Sequence, residues 1–355
     1  MTEAAVDPQQ FLEAEKIQAV MKLGQANVSV IGVGGAGSNI VSWIKQRGIA
    51  GGKLIAANTD APHLGITKAD RRILLGEKLT HGQGAGGYPE VGAQAAQESI
   101  QELKKEVEHS NIVFVCAGLG GGTGTGAAQI ICRELQDTGA LVIGVCTLPF
   151  SIERYRYEIA KKGLEKLRDY CDTVVAIDNS KLSKVAGNLP LQQALGVANE
   201  LVGQFVKGIT ETITVASLIN IDYADLRAIM QRKGLAAIGV GIGKGPDRVE
   251  SAVRKALDGQ LLDLRDPSKS KGVLVHVSGG EDITLEEVTR AGELVTRSLP
   301  PMTRIVWGAR VDPTMQGDVR VMVVLTGVES TFLAQQQSQQ TPLKGAFSFF
   351  KKQQV

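Results

Sequence analysis

Two glycine-rich runs and one pair of acids have the residue types and spacing to do chemistry. Gly32-Val-Gly-Gly-Ala-Gly37 follows a short apolar run and opens a helical stretch, and Asp60 closes the next apolar run. The run fits GxGxxG, which a dinucleotide site also uses. Gly118-Leu-Gly-Gly-Gly-Thr-Gly-Thr-Gly126 repeats the arrangement further along. A turn needs only one or two residues at positive φ, so this many glycines point to a ligand. Backbone N–H groups without side chains can close on phosphate oxygens, and a helix N-terminus favours their charge. No lysine follows, so the run is not a Walker A loop. The acids Asp222 and Asp225 stand three apart where a short helix, 223–233, is predicted. They suit its N-cap and first turn, and they share one face. Gly239-Val-Gly-Ile-Gly-Lys-Gly-Pro246 looks similar but lacks Ser or Thr after the lysine, and it reads as a strand end and loop. His63, His81, His109 and His276 have no metal-ligand spacing. They read as surface or hydrogen-bonded residues, and no protein-held metal is expected.

The elements that must position these residues follow from the apolar pattern. Runs at 28–33, 54–57, 111–117, 141–147 and 173–177 read as strands, most of them separated by helical segments. That alternation predicts an α/β fold with a Rossmann-like parallel sheet covered on both faces. Ligands bind such sheets at the carboxyl ends of the strands. From 190 to 219 apolar residues recur every three or four positions, which predicts one long amphipathic helix. Strands are then expected at 236–242, 272–277, 304–310 and 319–325, with helices near 247–262 and 284–298. The expected organisation is a helical extension at 1–26, a nucleotide-binding domain at 27–189, the central helix at 190–219, a smaller α+β domain at 220–328, and a linker and tail at 329–355.

Composition excludes several function classes. The 355 residues carry 39 Lys+Arg against 37 Asp+Glu, so the chain is not a strongly basic nucleic-acid binder. No apolar run approaches the ~20 residues of a membrane span, and the first residues show no secretory signal. The four cysteines lie in apolar segments without a CxxC pair and read as buried thiols in a reducing compartment. Glycine stands out, with 42 residues against a usual ~7%.

The second glycine run resembles the signature of the tubulin/FtsZ superfamily. So do Gly32 to Asn39, Asn58-Thr59-Asp60, Gly84-Ala85-Gly86-Gly87-Tyr88-Pro89, Thr147-Leu148-Pro149-Phe150 and Asn220-Ile221-Asp222-Tyr223-Ala224-Asp225. The resemblance covers about 27–328, and the order of motifs resembles the FtsZ branch rather than eukaryotic tubulin. It implies a GTPase that stacks head to tail into filaments and scaffolds the division ring, in the cytoplasm beneath the membrane. It implies GTP or GDP with Mg²⁺ as ligands. Gly34, Gly35, Gly37, Gly120, Gly121, Gly122, Thr123, Gly124 and Thr125 would hold phosphates, with Asp60 and Thr147 nearby. Gly84, Ala85, Gly86 and Gly87 would sense the γ-phosphate. Asn39 and Asn199 would bond guanine, Leu195 would cover the base, Glu153 would meet the ribose, and Arg156 would stand near the nucleotide. Asn220, Asp222 and Asp225 would act catalytically on the next subunit's nucleotide. Phe347, Phe349, Phe350 and Lys351 would bind a membrane-anchoring adaptor. Three departures stand out: one residue fewer between Glu153 and Arg156, Leu195 where an aromatic is usual, and a short linker. Two other readings are a GTP-binding scaffold with little turnover, and a dinucleotide-dependent oxidoreductase suggested by Gly32–Gly37 alone.

Overall fold

The computed structural model describes residues 26–215, 217–219, 221–231, 234–257, 270–297, 299–329 and 332. The first half alternates strand and helix: β1 (Val28–Val33), α1 (Gly34–Arg47), β2 (Gly52–Asn58), α2 (Ala61–Ile66), β3 (Arg71–Leu74), α3 (Glu77–Thr80), α4 (Pro89–Val107), β4 (Ile112–Gly118), α5 (Gly122–Leu135), β5 (Leu141–Leu148), α6 (Arg154–Tyr170), β6 (Thr173–Asp178) and α7 (Asn179–Ala186). The long helix α8 (Leu191–Thr214) follows, then α9 (Tyr223–Met230), β7 (Gly234–Lys244), α10 (Arg248–Leu257), β8 (Gly272–Gly279), α11 (Leu285–Thr296), β9 (Arg304–Val311) and β10 (Asp318–Thr326).

One sheet runs through both halves, in the order β3-β2-β1-β4-β5-β6-β7-β10-β8-β9. Its first six strands are parallel, as the crossover helices require. The halves join where Thr173, Val174 and Val175 of β6 pair with the first residues of β7. β10 is antiparallel to both neighbours. Strands β1, β5 and β8 are buried along their whole length because helices cover both faces. One face packs against α4, α5, α6, α10 and α11. The other packs against α1, α8 and α9, with Phe205 of α8 edge-on to Phe114 of β4 at 5.9 Å.

Helix α8 has 24 residues, about 36 Å at ~1.5 Å per residue. It runs beside α1 in the same direction. Gly203 packs against the Trp43 ring, Lys207 Nζ donates to the Gly48 carbonyl at 2.6 Å, and Thr214 Oγ1 to that of Ala50 at 3.0 Å. Since α1 returns from the carboxyl end of β1, α8 crosses from the carboxyl edge of the parallel strands to their amino edge. It stops at Thr214 rather than at the expected 219. Its last turns are rich in β-branched residues, and Thr210, Thr212 and Thr214 bond back to carbonyls four residues earlier. Ile219 instead pairs with Ala309 of β9.

The third glycine run is the end of β7, through Lys244, and the turn at Gly245 and Pro246, as expected. A Cβ on Gly239, Gly241 or Gly243 would lie 1.8, 1.9 or 1.7 Å from the carbonyl oxygens of Ala256, Ala252 and Arg248. Alternate residues of β7 share one face, so these glycines let the α10 backbone lie directly on the strand. Arg248, at the start of α10, reaches α11: Nη2 donates to Glu287 at 2.8 Å, and Nη1 pairs with Asp282. Glu287 also completes a capping box with Thr284. The Arg248 guanidinium holds the Glu287 carboxyl below its ordinary range.

Two outcomes follow from this packing. Gly241→Ala is expected to cost about 3 kcal/mol or more. Gly292→Ala, in α11 with nothing within 4 Å of the added Cβ, should gain about 0.5–1 kcal/mol. Denaturant unfolding of both variants checks the pair. Because the Glu287 carboxyl is lowered, its contribution is full above its unfolded pKa and falls away as pH drops below ~4. Glu287→Gln should flatten that acid limb in a plot of Tm against pH.

Candidate functional site

Parallel pairing brings five strand ends to one edge. In sheet order these are Asn58 to Asp60 after β2, Val33 and Gly34 after β1, Gly118 to Gly122 after β4, Thr147 to Pro149 after β5, and Asp178 with Asn179 after β6. Helices α1 and α5 begin here. Neither has a side-chain cap or an acid in its first turn. Their first N–H groups therefore lack partners, and the dipole favours an anion. The two loops touch: Gly34 has φ +69°, and a Cβ there would lie 2.9 Å from the Gly124 nitrogen.

A cavity of ≈ 300 Å³ lies against them. Of the residues expected from sequence, Gly35, Gly121, Gly122, Thr123, Gly124, Thr147, Glu153 and Arg156 line it. Others support the lining from behind. The Gly120 N–H donates to Thr125 Oγ1 at 2.9 Å, and Thr125 is buried, so its hydroxyl shapes the loop instead of facing the cavity. Gly37 packs against the Cys116 carbonyl and Gly32. Thr59 Oγ1 meets Thr123 Oγ1 at 2.6 Å, which ties the end of β2 to the main loop. Asp60 caps α2 by accepting from the His63 N–H at 2.8 Å. Gly84 to Gly87 form a neighbouring loop in which all three glycines have positive φ. It packs on Gly122, whose added Cβ would lie 2.8 Å from the Tyr88 nitrogen and 2.9 Å from the Ala85 Cβ.

With the short spacing after Phe150, Glu153 and Arg156 still line the cavity. Glu153 accepts from the Phe150 N–H at 3.1 Å and pairs with Arg156, and both reach the cavity. Asn39 Oδ1 lies 3.1 Å from His63 Nε2. Trp43 meets Gly203 one turn further along the parallel helices α1 and α8, so Asn39 and Asn199 occupy adjoining turns at the site's edge. Leu195 lies on the turn of α8 before Asn199. Its side chain is outside the described residues, as are Asn220, the 1–25 leader and the tail with Phe347, Phe349, Phe350 and Lys351.

Sequence reasoning missed Asn179 and His63. Asn179 follows β6 at the edge with the glycine loops, lines the cavity, and leaves a buried Oδ1 without a partner among the described residues. Its place directly after a parallel strand was the available signal. His63 packs beside Gly35 as well as Asn39. His276, expected at the surface or hydrogen-bonded, is buried with Nδ1 at 3.4 Å from the Ser278 hydroxyl and Nε2 without a partner among the described residues. The cysteines are free and buried as expected, and burial pushes the Cys116 thiol up to about 12.

The acids lie at the opposite edge. Asp222 caps α9 by accepting from the Asp225 N–H at 2.7 Å. Tyr223 Oη donates to the Asn111 carbonyl just before β4, and Arg227 to that of Gly139 just before β5. Asp225 is half exposed and pairs with Arg304 at 3.3 Å. Strand β4 has seven residues, about 23 Å at ~3.3 Å each. Within one chain, the acids and the glycine cavity are therefore separated by the length of the sheet.

Comparison with known proteins agrees with this arrangement. Residues 27–187 match the model of the tubulin/FtsZ family GTPase domain, and residues 234–329 that of the FtsZ family C-terminal domain. The chain is 47% identical over 312 residues to cell division protein FtsZ 2 of Methanocaldococcus jannaschii, covering 87% of this chain and 82% of that one. It is 48% identical over 320 residues to cell division protein FtsZ 1 of Archaeoglobus fulgidus, covering 90% and 86%. A solved FtsZ dimer from M. jannaschii superposes with TM-score 0.85 at 43% identity, over 91% of this chain and 93% of that one. The family match removes the oxidoreductase reading of Gly32–Gly37. The chain belongs to the tubulin/FtsZ family, with its GTPase domain ahead of the long helix and the FtsZ-type C-terminal domain behind it.

Proposed function

We propose that this protein is a cell-division GTPase that assembles head to tail and hydrolyses GTP in a site shared by two subunits. The observation that carries the reading is the separation of the glycine cavity from Asp222 and Asp225 at opposite edges of one sheet. A second copy stacked along the strand direction would bring its acidic edge onto the first copy's cavity. Such a contact is heterologous and does not close, so it propagates as a filament. Exposed apolar residues at both edges support it: Ile152 beside the cavity, and Leu218 and Met302 near the acids.

In this reading the N–H groups opening α1 and α5 hold the phosphates, and the loop at Gly84–Gly87 responds to the γ-phosphate. Asn39 and Asn199 recognise guanine, since an amide both donates and accepts. Glu153 meets the ribose, Arg156 stands beside the nucleotide, and Leu195 covers the base. Asn220, Asp222 and Asp225 of the next subunit orient and polarise the attacking water. Among the described residues no cluster of three or more His, Cys, Asp or Glu could hold a metal. Mg²⁺ would arrive on the phosphates and need one or two protein oxygens, here from Thr59, Asp60 or Thr123. When bound, Mg²⁺ neutralises phosphate charge. The domains would divide at 27–189, 190–219 and 220–328. The tail at 341–355 would tether the filament to a membrane-anchored adaptor beneath the division site. Among the described residues no helix is long and apolar enough to cross a membrane.

Phosphate release from GTP, measured against protein concentration with light scattering, should rise above a threshold at which scattering also appears. Asp225→Ala should retain GTP binding and assembly while turnover falls about 100-fold or more. Turnover at the wild-type rate would place the catalytic groups elsewhere. Removal of 341–355 should leave turnover intact and abolish recruitment to adaptor-bearing vesicles, as read by co-sedimentation.

A further inference from the structure

A second cavity, ≈ 500 Å³, lies between α1 and α8 on one side and the C-terminal half of the sheet on the other. Strand register builds its floor. Ile242, Arg320, Ser278 and Arg310 form one cross-strand row, and Val240, Met322, His276 and Gly308 the next. Arg310 is already partnered by Glu211 of α8 at 2.6 Å, and Glu211 also accepts from Lys207 at 2.8 Å and from the Ala50 N–H at 3.3 Å. Asp312 accepts from the Thr314 backbone and hydroxyl.

Two groups in this cleft are left over. Arg320 Nε is buried without a hydrogen-bond partner among the described residues. His276 is 5% exposed, and its Nε2 is also buried and unpartnered. Its Nδ1 faces the Ser278 hydroxyl at 3.4 Å, a long contact. Burial first, then the charges of Arg310 and Arg320, hold the ring's pKa down at about 4, so it is neutral near pH 7. An acceptor placed at Nε2 selects the tautomer in which Ser278 donates to Nδ1 and the ring proton sits on Nε2. The cleft thus presents a buried guanidinium N–H and a buried ring nitrogen that becomes a second donor in that tautomer, neither with a partner among the described residues. Buried donors are normally paired, and leaving them unpaired is costly. Arg47, Lys207, Arg310 and Arg320 outnumber Glu200, Glu211 and Asp312 along its walls. The complement is an acceptor-only group carrying negative charge.

We propose that this cleft binds a small oxyanion, a phosphate or a carboxylate, through His276 Nε2 and Arg320 Nε. The site is separate from the glycine cavity and does not depend on the function proposed above. Because α8 forms one wall, an occupant would contact both the long helix and the C-terminal domain.

The test uses the full-length protein saturated with GDP, so that the glycine loops cannot take up the added anion. Inorganic phosphate and citrate are titrated separately at ionic strength matched with chloride, and the histidine ring resonances are followed by NMR. The His276 signal is assigned by its loss in His276→Gln. A saturable shift of that signal at millimolar anion is expected, with affinity about tenfold weaker in Arg320→Met. Should Arg320→Met fail to fold, Arg320→Lys keeps the charge while removing Nε, and it should weaken binding likewise. A response to phosphate alone, or to citrate alone, identifies which oxyanion class the cleft selects. No saturable shift with either anion, or equal affinity in wild type and the Arg320 variants, would overturn the proposal.

Discussion

The parallel pairing of β1 to β6 is the constraint on which the rest depends. Parallel strands put all their carboxyl ends on one edge, so glycine loops far apart in sequence converge without any contact designed between them. The same pairing forces every crossover helix to return to the amino edge. Helix α8 makes that crossing beside α1 and delivers the chain to Asp222 and Asp225 on the far side. Sheet length thus fixes the distance between the glycine-loop edge and the acidic edge. No side-chain movement within one chain can span about 23 Å.

Close backbone approach is the second theme, and it explains the unusual glycine content. At the cavity, Gly34 and Gly124 let two helix starts come together. In β7, alternate glycines let α10 rest on the strand. The chemistry of the two cases differs. The first leaves N–H groups open to a ligand, while the second lies in a strand paired with β10 from Ala236 to Lys244. A glycine-rich run is therefore a ligand loop only where a helix begins at the carboxyl end of a parallel strand.

Much of this was legible in sequence. The five apolar runs of the first half, the glycine loops and the Asp222 cap fell where periodicity and capping chemistry placed them, and the long helix did so except at its end, which comes at Thr214. Residues 61–107 were not resolved into elements. β3 has four residues with two exposed arginines, and α2 and α3 are single turns too short to show a period. Gly239–Gly243 were placed in a strand end, but their contact with α10 was not legible, because it depends on which helix packs on the strand. Asn179 and His63 were missed for a related reason: each reaches the site through strand order and a neighbouring helix, neither of which a linear pattern displays. The role of His276 depends on cross-strand register and was equally invisible.

The central claim is that catalysis requires two chains, and complementation tests it most directly. Gly121 lines the cavity with nothing within 4 Å of an added Cβ. Gly121→Asp therefore suits the fold as a helix N-cap while placing a carboxylate in the cavity proposed to hold phosphate. That variant and Asp225→Ala should each be nearly inactive alone. Mixed in equal amounts, they should recover turnover at about a quarter of wild type, because that fraction of random head-to-tail interfaces joins an intact cavity to intact acids. A mixture no more active than its separate components would contradict the shared site.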